Sequence, residues 1–330
     1  MNKITHNNHY LSQMYLKRFS KDSININIYN LLVPHENYPL WECKPIRHSG
    51  SIEDIYTTYD GKNYDDELEK LFATDVEGPA KNSLEKVING EDLTDNDYDI
   101  LNKFIIIHIV RSPLVFDELM SYSNEMIPLI MNTYNPNTDF SEYTNRLYEI
   151  KLPYILNNCS DRIVMDYVIG KNIYLNMLKI FMNKCDNLFK DTKFAVASFD
   201  ESVNIPTSDN PVVVVSKDNY GRCCYDKIFI DKGSFFIFPV TNNKAIYGVV
   251  GKEIEPKINF DKKDSLTIKN FIIDNPCNMF ISKEIDDYIV EKKQRTVSHD
   301  KFLEKISKFK NVNNIYFEHE VKYLNNKKGF

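Results

Sequence analysis

The chain has 330 residues and a net charge of −6, with 42% apolar and 27% charged residues, the balance of a soluble globular protein long enough to bury a substantial core. The mild acidic charge is spread along the sequence. It gives no global attraction to nucleic acid, although it leaves room for a local basic groove. The six cysteines form no C-x-x-C pair, and none stands at zinc-ligand spacing from a histidine, which argues against structural zinc.

The opening MNKITHNNHY lacks the apolar core of a signal peptide. The longest apolar run, FIIIHIV at 104–110, is far too short to span a membrane. The expectation is a cytoplasmic protein with reduced thiols and no membrane partner. The wealth of Asn, Ile, Lys and Tyr points to an AT-rich bacterial genome.

In chain order, HYLSQMYLKRF at 9–19 is mostly apolar and aromatic, and reads as an amphipathic opening element. ININIY at 24–29 alternates apolar and polar residues, the mark of a half-buried strand. A loop with two prolines follows, then an extended piece near SIEDIYTTYDG that runs to a turn at Asp60-Gly61. From about Tyr64 the period becomes helical. Leu68, Leu71, Phe72, Val76, Ala80, Leu84, Val87 and Ile88 share a face, Gly78-Pro79 is placed to bend the helix, and Gly90 ends it.

Thr94 and Asp97 form a capping-box pattern before an apolar helix that stops at RSP, because Pro113 disfavours helix at Ser112. Residues 117–185 are again helical in pattern, broken by NTYNPNTDF and Pro153. Strand patterns then dominate at 193–199, 211–216, 227–231, 234–240 and 244–250, with hairpin signals at 231–234 and 241–244. A helix at 263–274, a strand at 278–282 and a charged helical tail complete the chain.

No repeat or Gly/Ser/Pro-rich linker divides the chain. The expected architecture is one α+β domain over 1–330, a helical N-terminal half packed on a mainly antiparallel sheet from the C-terminal half, with 286–330 as a charged helical extension.

Four places set polar groups among apolar ones. If 9–19 is helical, His9 and Gln13 share a face at i, i+4. An imidazole there would move protons and the amide would orient it, or both would tie the terminus to the core. His108 and Arg111 close the apolar helix. The guanidinium needs an anionic ligand, or an internal carboxylate such as Glu69 or Glu77. TSDNPVVVV at 207–215 is a tight turn feeding a buried strand, where Asp209 is either projected at a strand end or bonded to its own backbone. Glu69 and Glu77 lie near one face of the acidic helix, as acid–base or metal groups or as a solvated surface. Phosphate-loop, dinucleotide-binding, G-x-S-x-G and H-E-x-x-H patterns are all absent.

Seven stretches, in order, resemble one bacterial family, the domain of unknown function DUF 4238: HYLSQMYLKRF, GSIEDIYTTYDG, LEKLFATDVEGPAKNSLEKVINGE, FIIIHIVRSP, TSDNPVV, FIFPVTNNKAI and IKNFIIDNPCNMFIS. The family's opening motif is similar to His-Tyr-x-Pro-Gln-x-Tyr-Leu-x-x-Phe. It is matched by His9, Tyr10, Gln13, Tyr15, Leu16 and Phe19, with Ser12 in place of proline. Arg111-x-Pro113 and Ser208-Asp209-Asn210-Pro211 match as well, and the resemblance covers about residues 6–285.

The resemblance identifies relatives and not a reaction. It does single out the polar residues found above. They are expected to converge on one pocket between helices and sheet: His9, Gln13, Glu77, His108, Arg111 and Asp209 as catalytic candidates, and Tyr10, Tyr15, Ser208 and Asn210 as substrate contacts. Such a pocket fits hydrolysis or transfer at a phosphodiester, in an RNase-like or defence-associated effector acting on a small-molecule or nucleic-acid substrate. No cofactor or metal is expected. The competing class is a non-enzymatic binding or regulatory protein in which the same residues form a structural network. A third option is a metal-dependent hydrolase using Glu69, Glu77 and a histidine.

Overall fold

The computed structural model describes residues 4–59, 62–121, 162–184, 194–215 and 233–327. The expected turn at Asp60-Gly61, the strand at 227–231, the hairpin at 231–234 and the interruptions of the 117–185 segment lie outside these residues. Among the described residues, no helix is long and apolar enough to cross a membrane.

The opening stretch is not one helix. Strand β1 (Asn7–His9) is followed by a turn and a single helical turn, α1 (Gln13–Leu16), which tightens into a 3-10 turn at Lys17–Phe19. The break has a local cause. The amides of Tyr10 and Leu11 both donate to the carbonyl of Gly50 (2.9 and 3.1 Å), which holds the chain out of a helix up to Ser12. Gly50 has φ +65°, and a Cβ there would lie 2.8 Å from the Leu11 Cβ, so the approach needs glycine.

Strands β2 (Asn25–Asn30), β3 (Leu32–Val33), β4 (Glu42–Pro45), β5 (Ser51–Glu53), β6 (Thr58–Tyr59) and β7 (Tyr64–Asp65) follow. The long helical pattern is then α2 (Glu67–Leu71), a π turn at Phe72–Glu77 and α3 (Gly78–Asn89). Pro79 has no N–H for the ordinary i−4 bond, and the helix widens just ahead of it rather than kinking. Gly90 ends α3 in the left-handed conformation. The capping box opens α4 (Asp95–Val110), whose C-cap is Arg111. Pro113 then starts a new helix at 113–121. Helix α5 (Arg162–Lys184) completes this layer.

Strands β8 (Phe194–Ser198), β9 (Thr207–Ser208), β10 (Val213–Val215), β11 (Phe235–Thr241), β12 (Lys244–Val249) and β13 (Lys257–Asn259) precede α6 (Lys262–Asp274) and β14 (Met279–Ser282). The chain ends with α7 (Asp287–Lys292), β15 (Thr296–Val297) and α8 (His299–Lys327).

One sheet has the order β10-β11-β12-β8-β13, antiparallel except for β13 beside β8. Alternation along its strands feeds two cores. Phe194, Val196, Val214, Phe236, Phe238 and Ile246 face α3, α4 and α5. Ala197, Val213, Val215, Ile237 and Ala245 face Ile268 and Ile272 of α6.

The α+β class holds, but not the division into a helical and a sheet half. A second sheet, β4-β2-β14-β9, interleaves N-terminal and C-terminal strands. Helices also fill the C-terminal end, and α8 is built into the fold. Its Val312 and Tyr316 are wholly buried in the main core. Lys171 of α5 donates to Asn313 Oδ1 (2.6 Å), and Asn313 donates to the Glu53 carbonyl (2.6 Å). The apolar residues Phe302, Phe309, Val312 and Tyr316 recur within the tail at spacings of seven, three and four residues, a helical period.

If α8 is part of the core, Tyr316→Ala should cost about 3–5 kcal/mol, the usual loss for a buried aromatic ring. Urea unfolding measures it, and a loss below about 0.5 kcal/mol would make α8 an accessory.

Candidate functional site

Strand β1 pairs with β5 and sets His9 opposite Ser51. Its neighbour Asn8 anchors the strand, accepting from the Tyr56 amide (2.9 Å) and the Thr57 hydroxyl (3.3 Å). The His9 amide donates to Glu69 Oε1 (3.3 Å), and its buried Nε2 has no partner. Burial and the positive charge of Arg111 lower the His9 pKa, against the pull of Glu77 and the carbonyls of Arg47 and Asn7. Gln13 is exposed at the start of α1. The expected i, i+4 pairing with His9 does not form, because the chain is extended through His9 and the helix begins only after Ser12.

Arg111 is the centre of the polar cluster. It is 1% exposed. Its Nη1 donates to Glu77 Oε1 (3.0 Å) and its Nε points at the Tyr56 hydroxyl at 3.4 Å. The guanidinium lies over the Phe72 ring, 4.3 Å from its centre. Glu77 Oε2 accepts from the Ser12 hydroxyl (2.8 Å). Burial alone would lower the Arg111 pKa, but Tyr56, Glu77 and Glu69 outweigh it and raise it. The internal ion pair, one of the two readings of this arginine, is therefore formed. Beside it, burial lifts Glu69 to about 6 despite Arg111, and Glu69 Oε2 is buried without a partner. Among the described residues, no three His, Cys, Asp or Glu side chains are grouped to hold a metal.

His108 is a core residue. Its ring packs among Tyr15, Phe104 and Phe238. Nδ1 lies 2.9 Å from the Phe104 carbonyl, which only an N–H can satisfy. That geometry assigns the proton to Nδ1 and leaves Nε2 buried and unpartnered. Burial, with Arg111, lowers its pKa to about 4.

Asp209 makes no hydrogen bond to the Arg111 cluster. It directly follows β9, and both its oxygens are engaged. Oδ1 accepts from the amides of Asn278 (2.8 Å) and Met279 (3.3 Å), and Oδ2 from the Asn278 side chain (2.8 Å). Burial raises its pKa, opposed by these bonds. Ser208 donates to the Asn210 carbonyl (2.8 Å), and Asn210 Nδ2 donates to the Pro276 carbonyl (2.9 Å). Tyr15 donates to the Pro239 carbonyl (2.8 Å) and meets the Thr207 hydroxyl at 2.6 Å. Tyr15, Ser208 and Asn210 thus serve the scaffold.

Among the described residues, these side chains fall in two places rather than one. His9, Glu77 and Arg111 meet, joined by Ser12, Tyr56 and Glu69. Tyr10 and Asp209 instead line a groove of about 710 Å³ that α8 closes with Lys305, Phe309 and Asn313. The α8 residues were missed because the tail reads as charged. Its apolar spacing was the available signal.

A family model described as Protein of unknown function (DUF4238) matches residues 7–319. No curated protein and no solved structure matches the chain.

Removing one partner of a buried ion pair strands the other. Arg111→Ala should therefore cost about 3–5 kcal/mol in urea unfolding, and Arg111→Met with Glu77→Gln should recover much of it. Equal losses in the single and double variants would show that the pair is not the source.

His108 is charged more readily in the unfolded chain, with a pKa near 6.5, than in the fold, near 4. Its contribution is full above about pH 6.5 and is lost as pH falls towards 4, by roughly 3 kcal/mol. Glu69, raised from 4.5 to about 6, has the opposite sign: protonation between pH 6 and 4.5 relieves its burial. Comparison with His108→Phe isolates the histidine: wild type should lose stability relative to the variant steadily from pH 6.5 to pH 4. A pH-independent difference would overturn the assignment.

Proposed function

For this chain, which belongs to the DUF4238 family, we propose a binding role. The Arg111 cluster is structural, and the functional site is the groove under α8. The observation that carries this reading is the state of Arg111: it is buried, paired with Glu77 and covered by Phe72. Asp209 is equally committed to Asn278 and Met279.

The groove has the size and make-up of a small-molecule site. Tyr10, Phe302, Phe309 and Phe317 give it aromatic walls, and Asn278 and Lys305 supply polar groups. Burial lowers the Lys305 pKa, against Asp209 and Asp117. Among the described residues, its ammonium makes no hydrogen bond or ion pair. The ligand this fits is a small organic molecule with a flat apolar body and a polar head.

One observation favours the second reading, chemistry at a phosphodiester. His9 Nε2 and Glu69 Oε2 are both buried and unpartnered, and the pKa of Glu69 is about 6, a range suited to proton transfer.

A thermal-shift screen of small organic molecules, run on wild type and Asn314→Trp, tests the binding role. Asn314 lines the groove and is exposed, so tryptophan fills the space without removing a core contact. Molecules that stabilise wild type should fail to stabilise the variant, and equal stabilisation of both would exclude the groove. In parallel, wild type and His9→Ala are assayed on RNA, DNA and nucleotides. Turnover by wild type that is lost in His9→Ala would replace binding with catalysis.

A further inference from the structure

A second cavity, of about 740 Å³, lies away from α8. Its walls come from α1 and the turn after it, from the π turn and α3, from Thr241 at the end of β11 and from Lys283 just past β14. Four cationic side chains, Lys17, Arg18, Lys81 and Lys283, border it, with two carboxylates, Glu77 and Glu85.

The carboxylates are already neutralised. Glu85 accepts from Arg18 Nη2 (2.8 Å), and Glu77 accepts from Arg111 (3.0 Å) and Ser12 (2.8 Å). The ammonium groups of Lys17, Lys81 and Lys283 make no hydrogen bond or ion pair among the described residues. Three positive charges are therefore left without a counter-charge around one cleft, on a chain whose net charge is −6. Such clustering in a concave surface focuses potential and concentrates anions.

Arg18 is preorganised. Its side chain is 8% exposed, and Nη1 donates to the Met14 carbonyl (2.7 Å). Its Nε is buried and has no partner. The guanidinium is thus a fixed positive charge in the wall of the cleft. Met14 and Ile88 add an apolar patch to the same wall, which suits the flat body of a nucleoside. The sequence placed Lys17 and Arg18 side by side, but only the fold brings Lys81 and Lys283 to them.

We propose that this cleft binds a polyphosphorylated small molecule of nucleotide size, with Lys17, Lys81 and Lys283 on its phosphates, Arg18 fixing the orientation and Met14 and Ile88 under its base. This site is separate from the groove under α8, and neither depends on the other.

Isothermal titration calorimetry on the full chain tests it, using ATP, inorganic tripolyphosphate, adenosine and a 12-nucleotide single-stranded RNA. ATP and tripolyphosphate should bind, adenosine alone should not, and affinity should fall as salt rises. The double variant Lys17→Glu, Lys81→Glu changes two exposed side chains. It should weaken ATP binding by about tenfold or more with the melting temperature unchanged, whereas Asn314→Trp should leave ATP binding intact. Absence of heat with ATP and tripolyphosphate, unchanged binding in the double variant, or binding of RNA alone would each overturn the proposal.

Discussion

Arg111 cannot be left alone. A guanidinium at the end of an apolar helix, removed from water, must find a counter-charge or the fold fails. It finds Glu77, and Glu77 in turn takes the Ser12 hydroxyl. Tyr56 and Phe72 complete the enclosure. Through one ion pair the end of α4, the π turn, the start of α1 and the segment after β5 are fixed to one another. These four pieces also share the main apolar core, and the bonds around Arg111 add direction to that packing.

That constraint explains where the other polar groups fall. With Ser12 bound to Glu77 and the chain before it paired to β5, His9 and Glu69 lie against the cluster. Tyr10, the next residue, points away into the groove that Asp209 also lines. The polar residues therefore divide into a buried brace and a groove wall. The basic cleft is a third environment, touching the brace only at Glu77. The carboxylate of Glu77 stays in the cleft wall, but its charge is answered by Arg111, which leaves the lysines of the cleft without a counter-charge.

Much of the fold was legible because its signals are local. The helical period of 64–88, the stop at Gly90, the Thr94–Asp97 box and the hairpin at Thr241–Lys244 each depend on residues within a few positions of one another. The failures share a cause as well. Residues 9–19 carry an amphipathic pattern, but strand pairing with β5 and the carbonyl of Gly50, some forty residues away in sequence, hold the first of them out of a helix. The C-terminal tail reads as charged because α8 is polar on one side; its buried stripe becomes meaningful only once α5 and Asn313 are seen to hold it.

The sequence by itself determined the α+β class, the family and the identity of the polar residues set among apolar ones, because composition, period and ordered motifs are written in neighbouring residues. Which of those groups meet was decided only by tertiary structure. A buried charge takes its partner by proximity in space, so Arg111 chose Glu77 over the alternatives, Asp209 was taken up by Asn278 and Met279, and Gln13 was left in solvent. The grouping of Lys17, Arg18, Lys81 and Lys283 has the same origin, since like charges carry no pairing signal along a chain and are gathered only when other forces bring their backbones together.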